Sequence, residues 1–100
     1  MRQIEHIVAE RYGTPLKLED IAREVGVSSS YLRAQFVRLR GRPPSEHVQA
    51  VRVRQALLLL GTSSLTLEAI AEVCGYDSAS HLSRHIKRAT GETPGALRGR

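Results

Sequence analysis

Apolar positions recur along this chain at the three- and four-residue spacing of helix faces. Ile4, Ile7 and Val8 form the first stripe, which Gly13-Thr14-Pro15 ends. Leu18, Ile21, Ala22 and Val25 form a second stripe and predict a short helix from about Leu18 to Glu24. Gly26 suits the left-handed C-cap that lets a helix turn sharply. Ser28 suits the N-cap of a third helix running to about Arg40, with Leu32, Phe36 and Leu39 inward. Gly41 ends that helix and Pro43-Pro44 forbids its continuation. Pro44 in turn suits the first turn of a long helix from about Pro44 to Leu60. Its apolar residues Val48, Val51, Val53, Ala56, Leu57, Leu59 and Leu60 cover more than half the circumference, wider than the stripe of a one-sided surface helix. It is therefore expected to act as a spacer, about 25 Å long. Gly61-Thr62-Ser63-Ser64 reads as a loop, and Thr66, Ala69 and Ile70 open the next helix. A further helix is predicted from about Ser78 to Ala89, capped by Asp77. Thr93-Pro94 then reads as N-cap and first residue of a short last helix containing Leu97.

The chain also states one pattern twice. Ile21-Ala22-Arg23-Glu24-Val25-Gly26-Val27 is echoed by Ile70-Ala71-Glu72-Val73-Cys74-Gly75-Tyr76 at an offset of 49. Beyond that point the offset becomes 50: Leu32 answers to Leu82, Phe36 to Ile86, Arg38 to Arg88, Gly41 to Gly91 and Pro44 to Pro94. Each copy reads as a helix, a glycine turn and a second helix opened by small hydroxyl residues. That is the pattern of a helix-turn-helix, which sets one helix in the DNA major groove. The expected fold is all-α: a first subdomain at about 4–43, a linker helix at about 44–60 and a second subdomain at about 61–98. Its hydrophobic centres are expected to include Ile21, Val25, Leu32, Phe36, Val53, Leu60, Ile70, Cys74, Leu82 and Ile86.

Charge sharpens this picture. The 100 residues carry a net charge of +5, but its distribution says more than its total. Residues 28–60 hold six arginines (33, 38, 40, 42, 52 and 54) against the single acid Glu46. Residues 77–100 carry Arg84, Lys87, Arg88, Arg98 and Arg100 against Asp77 and Glu92. The remaining segments have four bases and seven acids. Positive charge thus follows the second helix of each repeat while the first helices are acidic, as a phosphate-facing side requires.

A groove-entering helix uses the exposed side chains of its first two turns. In the first copy these are Ser29, Ser30, Arg33 and Ala34; in the second they are Ala79, Ser80, Ser83 and Arg84. Arginine can bond O6 and N7 of guanine together, whereas serine has little base preference. Arg33 and Arg84 are therefore the expected base discriminators. Arg38, Lys87 and Arg88 lie further along and are expected on phosphates. Ser28, Ser78 and Thr93 offer hydroxyls and helix-start amides to phosphate oxygens. Because the two sets differ, the bound site should be asymmetric.

The segment Ile70-Ala71, Gly75-Tyr76, Ser80-His81-Leu82-Ser83-Arg84, Ile86-Lys87-Arg88, Gly91, Thr93-Pro94 and Leu97-Arg98 resembles the signature of AraC/XylS-type transcriptional regulators. The resemblance runs from about Ile4 to Arg98 and includes Arg52, Ala56, Leu59 and Leu60 of the linker helix. It implies seven helices, two helix-turn-helix units joined by a linker helix, and control of bacterial promoters. It also implies contact with RNA polymerase in addition to double-stranded promoter DNA. The family usually has aromatics where this chain has Leu82, Ile86 and Leu97, and an arginine is common where Ala34 stands. Most members carry a separate ligand-binding or dimerisation domain, so the chain is expected to be a monomeric fragment of a larger regulator.

Other classes fit less well. There is no phosphate-binding glycine loop and no nucleophile elbow, so no enzymatic role and no cofactor are expected. His81 and His85 stand at i, i+4 and could share a metal, but Leu82 occupies the place of the glutamate in the zinc-protease motif. No metal site is expected. Cys74, the only cysteine, excludes an internal disulfide and reads as a buried core thiol. The apolar run Leu57 to Leu60 is far below the ~20 residues of a membrane span. No signal-peptide pattern begins at Met1, so the cytoplasm is the expected setting. The alternative is a basic helical module that binds protein or RNA without reading DNA sequence. Against RNA stands the scattered or inward placement expected for Tyr12, Tyr31, Phe36 and Tyr76.

Overall fold

The computed structural model describes residues 1–99, and among them every regular element is an α-helix. In chain order these are α1 (Arg2–Arg11), α2 (Leu18–Val25), α3 (Ser29–Arg40), α4 (Pro44–Thr62), α5 (Leu67–Val73), α6 (Ala79–Thr90) and α7 (Pro94–Arg98). Two compact units result, Met1–Val51 and the residues from Arg52 onward, with the division inside α4. None of the described helices is long and apolar enough to cross a membrane.

In the first unit, Ile4, Ile7, Ile21, Ala22, Leu32 and Phe36 form a buried cluster, with Leu18, Val25 and Val27 partly buried against it. Val25 was expected at the centre but sits at the edge, because it is the last residue of α2 and the chain turns away at Gly26. Leu39 departs further: it is 46% exposed. The stripe through Leu32 and Phe36 runs on to Leu39 by spacing, but there it borders an open pocket beside Ile4, Val25, Val27 and Leu32 instead of closing over them. The turn between α2 and α3 needs Gly26, whose φ of 79° is the left-handed conformation that costs an L side chain energy. The Val27 amide then donates to the Ala22 carbonyl at 3.0 Å, closing α2. Ser28 caps α3, its Oγ accepting from the Tyr31 amide at 3.1 Å.

The second unit repeats this local chemistry. Gly75 has φ 84° and the Tyr76 amide donates to the Ala71 carbonyl at 2.8 Å. Ile70, Cys74, Leu82 and Ile86 are fully buried; Val53, Ala56 and Leu60 of α4 and Pro94 of α7 are buried as well. Burial also pushes the Cys74 thiol above its ordinary range, against the lowering effect of Arg52, as expected of a core thiol. The cap of α6 is Ser78, not Asp77: Ser78 Oγ accepts from the His81 amide at 3.1 Å. Tyr76-Asp77 stands where the first copy has Val27 alone, so the turn is one residue longer and the cap moves one place along. Thr93 caps α7 as expected, accepting from the Ala96 amide at 3.2 Å.

Gly61 and Thr62 belong to α4 rather than to a loop. Two hydroxyls support the extension, Thr62 Oγ1 donating to the Leu58 carbonyl and Ser63 Oγ to that of Leu59, each at 2.7 Å. Arg98 completes the end. Its guanidinium donates to the carbonyls of Leu60 (3.2 Å), Leu65 (2.6 Å) and Ser63 (3.3 Å). A planar cation with five donors satisfies carbonyls that the end of a helix leaves bare, and it complements the negative pole there.

Candidate nucleic-acid interface

Each unit presents its second helix as a graded surface. On α6, Leu82 and Ile86 point inward, fixed by the core described above. The stripe Ser80, Arg84, Lys87 lies on the exposed side, all three exposed. Ala79 and Ser83 are partly buried beside it. On α3, Leu32 and Phe36 are inward, Ser30, Arg33 and Ala34 are exposed, and Ser29 is half-buried. The packing that buries the two apolar pairs therefore leaves Ser30, Arg33, Ala34, Ser80 and Arg84 exposed, whereas the expected Ser29, Ala79 and Ser83 are half-buried.

Charge pairing sorts the basic residues. Arg11 makes a two-pronged pair with Glu24 at 2.7 and 2.9 Å, and Arg40 another with Glu5 at 2.9 Å through both prongs. Hydrogen bonding from these guanidiniums holds the Glu5 and Glu24 carboxyls below their ordinary range. Arg23 reaches Asp20 at 3.3 Å. Arg40 counted toward the basic segment in the sequence, yet its charge is spent on α1. Arg38 donates from Nε and Nη2 to Gln35 Oε1, which orients the guanidinium without neutralising it. By contrast, Arg33, Arg84, Lys87 and Arg88 make no hydrogen bond or ion pair with any described residue. Arg33 is exposed and also lines a small pocket with Leu16, Leu18, Ile21, Pro43, Pro44 and Val48.

The three hydroxyls expected on phosphates are all occupied as acceptors. Ser28, Ser78 and Thr93 each receive a backbone amide three residues on. Each keeps one O–H to donate outward, since a hydroxyl is donor and acceptor at once.

Two features escaped the sequence. Tyr31, expected scattered or inward, is 56% exposed on the first turn of α3. Beside the exposed stripe of α6, His81, His85 and Tyr76 form a ring cluster. The Tyr76 hydroxyl and His85 Nδ1 share a 2.8 Å hydrogen bond, and the His81 and His85 rings meet edge to face with centroids 4.5 Å apart. Desolvation lowers the His85 pKa from its ordinary value, helped by the positive charges of His81, Arg88 and Arg84. No group of three or more His, Cys, Asp or Glu side chains suited to a metal ion occurs among the described residues.

A family model described as a helix-turn-helix domain matches residues 21–100. A solved Chromobacterium violaceum regulator with an AraC-type DNA-binding domain superposes with TM-score 0.92 at 28% identity, over 98% of this chain and 88% of that one. The chain belongs to the AraC-type helix-turn-helix family. The DNA-binding domain of AdpA, solved in complex with a target DNA, matches equally well: TM-score 0.92, 28% identity, 98% of this chain and 88% of that chain. The regulator GlxA of Rhizobium meliloti is 37% identical over 86 residues, which are 86% of this chain and 26% of that protein. The Msm operon regulatory protein of Streptococcus mutans is 26% identical over 98 residues, 98% of this chain and 35% of that protein. The AraC-type chain thus spans about a third or less of these curated relatives, which carry names of transcriptional regulators, a non-enzymatic role.

Proposed function

We propose that this AraC-type chain is the double-stranded DNA-reading part of a bacterial transcriptional regulator, and that its two units read adjacent major-groove segments of a promoter. One observation carries the reading. On the second helices Arg33, Arg84, Lys87 and Arg88 make no hydrogen bond or ion pair with a described residue, while Arg11, Arg23 and Arg40 are matched by Glu24, Asp20 and Glu5. Unmatched positive charge on the groove-sized element of a helix-turn-helix is what a phosphate-lined groove attracts. The AdpA domain, bound to its target DNA in the solved complex, supports the same use of this fold.

Within this reading the roles separate by position. Arg33 and Arg84 read base edges, with Ser29, Ser30, Ala34, Ala79, Ser80 and Ser83 forming the rest of the groove-facing surface. Arg38, Lys87 and Arg88 hold phosphates, as do the outward O–H groups of Ser28, Ser78 and Thr93. One copy suffices for a site, because one chain carries two unlike readers. RNA polymerase, carried over from the family resemblance, is the second partner, and the cytoplasm is the compartment.

Salt dependence tests the phosphate roles and separates this reading from a generic basic module. Lys87→Ala with Arg88→Ala is expected to weaken binding to every duplex alike and to flatten the slope of log K against log salt by about 2, since each phosphate contact contributes about 0.9. Heparin or random RNA added as competitor should release random DNA before it releases the preferred site. Equal displacement from all duplexes would contradict sequence-specific reading.

A further inference from the structure

On α6, Ser80, Arg84 and Lys87 form the stripe assigned to the groove, and His81, His85 and Arg88 form the next stripe at the same i, i+4, i+7 spacing. Both imidazoles are half-buried, and their rings touch at 4.5 Å between centroids. Tyr76, from the turn after α5, contacts both rings at 5.2 Å and hydrogen-bonds His85. We propose that the His81–His85 pair is part of the DNA-binding surface and takes up one proton when the chain binds a duplex, so that affinity rises on acidification. This rests on the DNA-reading function proposed above.

The surroundings give the proton its conditions. The charges acting on His85 are all positive: His81, Arg88 and Arg84 on its own helix. From α4, Arg52 acts on Tyr76 and on Cys74 behind it. In the free protein desolvation opposes a charge on His85, and His81, Arg88 and Arg84 oppose it too. A phosphate backbone lying along the His81–Arg88 stripe reverses that balance, because duplex DNA brings one negative charge per ~1.7 Å of axis. The Tyr76 hydroxyl can donate to a bare Nδ1 and accept from a protonated one, so the hydrogen bond survives proton uptake. Two imidazoles in ring contact cannot both charge readily, which limits uptake to one proton.

The sign differs from that of folding. His85 is held below its ordinary value of 6.5 in the folded chain, so the unfolded chain binds more protons there. Acidification below that value therefore costs the second unit stability while it strengthens DNA binding. A general stabilisation at low pH cannot mimic the effect.

The test is duplex affinity at constant ionic strength from pH 7.5 to 6.0, for the wild-type chain and for His81→Gln with His85→Gln. Uptake of one proton permits at most tenfold per pH unit. The wild type is expected to bind about tenfold tighter at pH 6.0, and the double variant to change by less than about twofold. His6 and His47 remain in both proteins and serve as internal controls. A wild type without pH dependence, or equal dependence in both proteins, would overturn the inference and leave the DNA-reading function standing. Failure to bind duplex DNA at any pH would overturn both. Should the double variant fold poorly, imidazole proton resonances of the wild type decide instead. The titration midpoint of His85 should rise by about two pH units in the DNA complex, and an unchanged midpoint would overturn the proposal.

Discussion

Phe36→Ala is expected to cost the first unit about 3–5 kcal/mol, the usual range for truncating a buried phenylalanine. The ring is fully buried within the cluster of Ile4, Ile7, Ile21, Ala22 and Leu32, and it touches the His47 ring at a centroid distance of 5.2 Å. Six-carbon rings leave cavities that rigid helices cannot close, so the loss of contacts adds to the loss of transfer energy. A domain of this size has about 5–15 kcal/mol in total. The variant should therefore melt far below the wild type, with amide exchange fastest in α2 and α3, the helices whose packing Phe36 anchors. Wild-type melting and unchanged exchange in α3 would show that the first core does not depend on this ring.

Arg84→Ala should act in the opposite way, leaving the fold intact and removing discrimination. Arg84 is exposed and makes no bond to any described residue, so its truncation should leave the melting temperature unchanged. On the preferred site the variant is expected to lose about 1–3 kcal/mol, the worth of a bidentate arginine–guanine pair. That is roughly a 5- to 150-fold loss of affinity. Random DNA should hardly notice, and the preference at one base position should disappear. Arg33→Ala should do the same at a position in the other half of the site. Binding assays on the preferred and scrambled duplexes separate the possibilities. Equal losses on both would move Arg84 among the phosphate contacts.

The sequence made most of the skeleton readable because the signals that set it are local. Gly26 and Gly75 are needed for a backbone angle within one turn, and Ser28, Ser78 and Thr93 cap amides three residues away. The repeat itself fixed which helices correspond. Errors arose where a local pattern outran its tertiary support. Leu39 continues the stripe of Phe36 in spacing, but it borders an open pocket at the edge of the core. Gly61-Thr62 has loop composition, yet the Arg98 guanidinium holds the Leu60 carbonyl in the last turn of that helix from 38 residues away. Arg98 appeared only as a letter of the signature; its partners are backbone atoms that no residue pattern encodes. Asp77 has a capping side chain, but the repeat offset passes from 49 to 50 inside the turn, so the cap falls one place later, on Ser78. The exposed positions Ser30, Arg33, Ser80 and Arg84 on the second helices were legible from periodicity. Which arginines remain unpaired was not, since Glu5 and Arg40 meet across 35 positions of chain. The Tyr76–His85 bond was equally hidden, as it joins a turn to a helix face through side chains alone.

Selection of bound duplexes from a random library, with the chain itself as bait, tests the central claim most directly. The account predicts two unlike blocks of preferred bases, centred about one helical turn apart and recovered with one chain per duplex. One block should lose its definition in Arg33→Ala and the other in Arg84→Ala. Recovery of no preferred sequence, or of a palindrome occupied by two copies of the chain, would contradict it.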